Sequence, residues 1–318
     1  MNLHEDREKL NQAVLLVAET LKMHPAIVEK DYFVTLILKK IVEQEPHVVF
    51  KGGTSLSKCY KAIHRFSEDL DLSYDNGQQP VTQGMRRRCF KAVRTAIKNS
   101  NLRFLNEGEP QSKRVFNKFL IDYGSTVQHE LTALRPHVQV ETSFQVPCFP
   151  IEIKEASSYI YQYFEQERNI DVISQYGLEP FRVKVQTLER TFVDKVFAVC
   201  DYYLSDDISN HSRHLYDLHK LFPEIETNQN LVGLIREVRS FRAKDSRCLS
   251  ARGNCNINDI LGEIIERSVY KNDYDEMKRQ LLFEDVPYND AIETLRRIMN
   301  TSLFVTDQRA KTNKANLT

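Results

Sequence analysis

The sequence predicts an α+β protein: a core of mixed strands and helices over residues 46–186, with helical parts at 1–45 and 187–303. Three observations carry this. Apolar residues recur every three or four positions in both flanks, as on one face of an amphipathic helix. Between the flanks the period shortens to two in runs such as SEDLDLS and HVQVETS, as in a half-buried strand. At 318 residues, 41% hydrophobic and 28% charged, the chain is long enough to bury a core and too apolar to remain disordered.

The elements follow in order. Val14, Leu15, Val17 and Leu21, then Phe33, Leu36, Ile37, Leu38 and Ile41, predict two helices separated at Pro25. His47-Val48-Val49-Phe50 running into Gly52-Gly53 reads as a buried strand and a turn, and a helix capped by Thr54 or Ser55 extends to about His64. Ser67–Ser73 alternates, with Leu70 and Leu72 on one face and Asp69, Asp71 and Ser73 on the other. A basic helix spans about Thr82–Asn99, and strands are expected at Phe116–Tyr123, His137–Phe144 and Phe181–Gln186. Residues 145–180, with Pro147, Pro150 and Pro180, read as a connecting region. From Thr187 the pattern is helical, with turns near Pro223, Gly253 and Pro287, and residues 304–318 are expected to form a disordered tail.

Composition excludes several classes of function. Lys+Arg and Asp+Glu both total 44, so the global field draws no polyanion and any such binding must be local. No stretch approaches the roughly 18 apolar residues of a membrane span, and the N-terminus has no signal-peptide core, which predicts a cytoplasmic protein with no membrane partner. The six cysteines form no Cys-x-x-Cys pair and are expected to be buried fillers or inert surface groups. His211, His214 and His219, at spacings of three and five, do not share a helix face, so zinc is not expected. Tyr159, Tyr161, Tyr163 and Tyr176 read as packing residues.

The chemistry concentrates around Asp69-x-Asp71. On a strand both carboxylates project from one face, close enough to bridge divalent cations. Such pairs are common in solvated loops, but the flanking leucines place this one on a held strand. In HVQVETSF, Glu141 has the same outward placement and can complete a three-carboxylate cradle if the strands are neighbours; Asp122 in FLIDYGS competes for that role. Three unneutralised acids on one face would repel one another, which favours a metal. The Gly52-Gly53-Thr54-Ser55 turn allows close backbone approach to a polyanion such as a triphosphate, with a Ser55 hydroxyl and a Lys58 charge nearby, although its spacing is not that of a P-loop.

Together, EKDYFVTLILKKI, FKGGTSLSK, RFSEDLDLSYD, TFVDKVFAV and RHLYDLHKL resemble the AbiEii/AbiGii family of nucleotidyltransferase toxins, most strongly over Glu29–Asp75. The resemblance implies a DNA polymerase β-like nucleotidyltransferase core, NTP as substrate, and an antitoxin encoded alongside. Some relatives modify tRNA 3′ ends and block aminoacylation. It also implies Gly53 and Ser55 in the phosphate turn, Asp69 and Asp71 as metal ligands, Lys195 as a helical lysine and Asp217 as a later acid, with Glu141 at the third-acid position. Without it, Lys195 would read as a surface lysine and Asp217 as an intrahelical partner of Arg213. The chemistry expected is an in-line, two-Mg2+ transfer, with Lys195 and Lys58 neutralising triphosphate charge.

Residues 83–120 hold ten basic side chains against two acidic ones. Arg86, Arg87, Arg88, Lys91 and Arg94 lead this cluster and are the expected contacts to an RNA acceptor, taken as a tRNA. Its ordinary alternative is a solvated helix face.

Overall fold

The structure, a computed structural model, describes residues 1–127, 131, 134–253 and 255–305. The expected tail from Thr306 onward lies outside the described residues. Phe304, placed in that tail by the sequence reading, is instead 2% exposed and packs its ring near Phe192 and Phe197.

Helix α1 (Arg7–Leu21) is capped by Asp6, and α2 (Pro25–Gln44) starts at Pro25, where the missing N–H of proline costs nothing. Strand β1 (Val48–Lys51) leads into a single helical turn, α3 (Gly52–Ser55). A π-helical turn over Leu56–Tyr60 follows and ends at Lys61 in the left-handed region. The helix expected to reach His64 therefore stops four residues short. Next come β2 (Leu70–Tyr74), α4 (Gln83–Asn99), β3 (Arg103–Phe104), β4 (Phe116–Asp122) and β5 (Val138–Ser143). The supposed connecting region contains β6 (Ile151–Ala156), α5 (Tyr159–Gln166) and α6 (Ile170–Tyr176). Strand β7 (Phe181–Gln186) closes this part.

The chain forms two compact units, residues 1–61 with 66–187 and residues 62–65 with 188–318. The N-terminal helices belong to the first unit together with the sheet. Its seven strands lie in the order β3-β4-β5-β2-β1-β7-β6, with β1–β7 and β2–β5 parallel and the other pairs antiparallel. Leu70 and Leu72, Phe119 and Ile121, and Val138 and Val140 share a core with Val14, Phe33, Ile37, Val93 and Ile97 of the helices. One sheet face is thus sealed by helices. Tyr159, Tyr161, Tyr163 and Tyr176 also pack on this core.

The second unit consists of α7 (Leu188–Leu204), α8 (Arg213–Leu221), α9 (Gln229–Arg242), α10 (Ile257–Arg267), α11 (Lys271–Leu281) and α12 (Tyr288–Asn300). Phe192, Phe197, Leu215, Leu218, Leu261 and Leu295 are fully buried in it. Of the six free cysteines, four are buried and two half-buried. Among the described residues no helix is long and apolar enough to cross a membrane.

Candidate active site

Strand pairing brings the first acids together. Asp71 on β2 is opposite Lys51 on β1 and opposite Glu141 on β5, and Glu141 is opposite Lys118 on β4. Directly paired residues point to the same face, so Lys51, Asp71, Glu141 and Lys118 form one row across four strands. The outer members are cations and the inner two are acids. Two carboxylates directly opposed destabilise a sheet unless positive charge is supplied between or beside them. Here Lys118 Nζ lies 3.3 Å from Glu141 Oε1, and Gln139 Nε2 donates to the same oxygen at 2.9 Å.

Gly52 is fitted against Asp71. Its φ of +79° is a conformation side chains rarely adopt, and a Cβ there would lie 2.1 Å from Asp71 Oδ2. The turn and the acid thus require each other's geometry, and Gly53 continues the turn. Its hydroxyls are turned inward, however. Ser55 is fully buried and donates to Gly52 O at 2.9 Å, while Thr54 donates to Ser67 Oγ at 2.9 Å. Lys58 departs further from expectation. Its ammonium is 2.5 Å from Asp31 Oδ1 and 2.6 Å from Thr35 Oγ1, and the residue is 8% exposed, so its charge is committed to α2 rather than to a phosphate site.

Asp69 is not on the ladder, because β2 begins one residue later. Arg135 Nη1 donates to Asp69 Oδ1 at 2.6 Å, and the Arg135 backbone N–H donates to Glu68 Oε2 at 3.2 Å. Glu68 in turn pairs with the fully buried Lys30. Burial pushes the Glu68 carboxyl up and the Lys30 amine down, against their mutual attraction. This cluster pulls the chain off the strand path that the alternation had suggested from Ser67. Asp122, the rival third acid, pairs with Arg103 at 2.5 Å, and hydrogen bonds from Arg103 and the Gly124 N–H hold its pKa below the usual carboxylate range. It lies four residues along β4 from Lys118 and two strands from β2, off the row.

On α4, Arg87, Lys91, Arg94 and Lys98 line a single groove, whereas Arg86 is not part of its lining. Arg88 turns to Tyr74 Oη at 2.8 Å and Glu45 Oε2 at 3.2 Å. The five basic residues expected to act together on RNA therefore divide into different directions, as successive positions on a helix must.

In the second unit Asp217 is fully buried. It accepts a two-point contact from Arg65, with Nε and Nη2 each at 2.7 Å, and a third bond from Lys195 Nζ at 2.6 Å. Burial would raise this carboxyl, but Arg65 and Lys195 outweigh it and hold Asp217 well below the usual carboxylate range. The partner read from sequence was Arg213; the bonds found run to Arg65 and Lys195 instead. His214 Nδ1 lies 3.5 Å from Lys195 Nζ, and burial together with that ammonium keeps its imidazole neutral. His211 and His214 stack in parallel with Tyr202, while His219 meets Thr294 Oγ1 at 2.9 Å, so the three histidines do not converge.

The family model described as nucleotidyl transferase AbiEii toxin, type IV toxin–antitoxin system, matches residues 36–299. The chain belongs to the AbiEii family. It is therefore a nucleotidyltransferase toxin of a toxin–antitoxin system, with an NTP substrate and an antitoxin partner. Its fold is similar to that of MenT4, a nucleotidyltransferase toxin from Mycobacterium tuberculosis H37Rv, at a TM-score of 0.54 and 16% identity, covering 94% of this chain and 92% of that one. No curated protein sequence matches it.

The AbiEii toxin's donors suit a hard divalent cation in kind: carboxylate oxygens on Asp71 and Glu141 in register, Asp69 two residues back, and a turn with no Cβ where Asp71 approaches. As the side chains lie, no group of three His, Cys, Asp or Glu among the described residues stands close enough to hold a metal ion. Asp69 is instead drawn to Arg135, and Glu141 to Lys118 and Gln139. Sequence reasoning missed Lys51, Arg135 and Arg65, and counted Lys118 in the basic segment without placing it beside Glu141. Lys51 and Lys118 were legible in principle, since each adjoins or alternates within an expected strand. Arg135 had no local signal at all.

Proposed function

We propose that this AbiEii toxin transfers a nucleoside monophosphate from an NTP to the 3′ end of a tRNA in an Mg2+-dependent reaction in the cytoplasm, and so blocks translation. The single observation behind this reading is the charge row, with Asp71 and Glu141 in register and Gly52 fitted against Asp71. The acceptor hydroxyl oxygen attacks the α-phosphorus, the bond to the leaving pyrophosphate breaks in line, and the hydroxyl proton passes to Glu141 or to solvent. Asp69, Asp71 and Glu141 would hold two Mg2+ ions, which supply charge neutralisation for the attacking and leaving oxygens. Asp69 would be available to that site on release from its ion pair with Arg135. The Gly52–Ser55 turn gives the triphosphate close access to the backbone, and Lys51 supplies a cation beside it. Within the second unit, Lys195 and Asp217 act as positioning residues, joining α7 to α8 through one buried charge cluster.

The test is a labelling reaction with Mg2+, total cellular tRNA and each α-labelled NTP in turn, with Asp69→Ala as the control. Label in tRNA-sized bands, lost in the variant, is the expected result. Label in a protein band or a small molecule would discard the RNA acceptor, and no transfer at all would overturn the reading.

A further inference from the structure

We propose that the groove between α4 and the β3 edge is a track for the single-stranded part of the RNA acceptor, an inference that rests on the RNA reading above. The groove, of about 690 Å3, is walled on one side by Arg87, Lys91, Arg94 and Lys98. These residues recur at intervals of four, three and four, so they form one stripe on α4, opposite the buried Cys89, Val93 and Ala96. Like charges at these spacings disfavour an isolated helix, so the stripe weakens α4 rather than supporting it. The one acid in the lining, Glu107, pairs with Arg94.

The floor is aromatic. Phe90 and Phe104 line the groove, and the Arg94 guanidinium stands over both rings at 5.7 and 5.4 Å from their centroids. A flat Arg94 guanidinium lying on apolar rings, beside further cations, is what a single strand can use: phosphates meet charge while bases stack on the guanidinium plane or the ring edges, whatever their sequence. A double helix hides its base faces and could not use the floor. An acidic protein segment would use the cations but has no need of two stacking surfaces.

The groove lies on the helix-covered side of the sheet, since Phe104 is opposite the core residue Ile121, whereas the carboxylates project from the other face. The segment after β3 runs beside β4, where Asn106 Nδ2 donates to Lys118 O at 2.9 Å. Lys118 is the residue opposite Glu141. An acceptor end at the acids would therefore have its preceding nucleotides turn around the β3–β4 edge to reach the groove.

The test uses the full chain and a fluorescein-labelled, twelve-nucleotide single-stranded RNA, titrated by anisotropy from 50 to 200 mM KCl. The double variant Lys91→Glu/Lys98→Glu alters two exposed side chains of the stripe, and Lys9→Glu/Lys22→Glu makes the same charge change on and after α1. The stripe variant is expected to bind about 100-fold more weakly at 50 mM KCl, with a log–log salt slope reduced by about 1.4, or roughly 0.7 for each lost phosphate contact. The control should change less than about threefold. Phe104→Leu should weaken binding by about tenfold and leave the slope unchanged, because stacking is lost and charge is not. Equal affinity and slope in the stripe variant and the control overturn the groove. If the native chain labels RNA and the stripe variant does so at unchanged acceptor KM, the groove is wrong and the RNA reading stands. If the native chain neither binds nor labels RNA, both fail; if the stripe variant loses an acidic protein partner but keeps RNA, the groove assignment alone fails.

Discussion

Gly52 shows how much a single hydrogen can decide. Gly52→Ala places a left-handed conformation on a residue with a side chain, at about 1–2 kcal/mol, and drives a methyl into the Asp71 carboxylate. We expect a stability loss of that order by urea unfolding followed by far-UV circular dichroism, together with loss of nucleotidyl transfer; a variant that destabilises but transfers normally would detach the turn from the chemistry. Lys58 poses a different question, because its charge is spent inside the fold. Lys58→Met leaves Asp31 buried without its cation and should cost about 3–5 kcal/mol, most of it recovered in Lys58→Met/Asp31→Asn. Should Lys58→Met instead keep its stability and lose NTP affinity, the lysine serves the phosphates after all. Asp217 is the third case. Its folded pKa lies below the unfolded carboxylate value of about 4, so its ion pairs contribute full stability above that pH and lose it as pH falls toward the folded pKa. Unfolding curves measured from pH 6 down to 2 should show this acid-dependent decline in the native chain and not in Asp217→Asn, which starts about 3–5 kcal/mol lower.

At the scale of elements, register is what converts a list of acids into a site. A slip of one residue between β2 and β5 would send Glu141 to the helix-covered face and bring a core residue out. The alternation of LDLSY and VQVETS made those faces legible, because Leu70 and Leu72, and Val138 and Val140, alternate with polar residues. The partner strand, and so the Asp71–Glu141 pairing, was not legible, since parallel neighbours are joined by long connections that leave no local mark. Lys118 tests the row directly. It competes for Glu141 through a partly exposed pair worth about 0.2–1 kcal/mol, so Lys118→Ala should tighten Mn2+ binding by up to about fivefold in an electron paramagnetic resonance titration. Weaker Mn2+ binding in that variant would argue that Lys118 organises Glu141 rather than blocking it. Residues 145–180 escaped recognition for a related reason: β6 is an edge strand whose IEIKEA sequence carries the charges that keep edges unpaired, and α5 and α6 are too short to show a clear period.

For the whole molecule, zero net charge and two separately cored units set the terms. Each unit buries its own apolar residues, so damage to the Arg65–Asp217–Lys195 cluster should be felt first in the second unit. Hydrogen exchange on Asp217→Asn should show protection lost in α7 and α8 while the β-sheet amides stay protected; uniform loss would mean that the two units unfold as one. By itself the sequence determined the class of fold, the family, the order of most elements and the alternating faces of the two acidic strands. These are local properties, written in periods of two and three to four and in short motifs that survive without a partner. Only the tertiary structure decided that Asp71 meets Glu141, that Asp69 rests on Arg135, that Lys58 belongs to Asp31 and that Arg65 joins Asp217. Each of these joins residues from 27 to more than 150 positions apart, and which charges neutralise one another over such separations depends on how the chain packs.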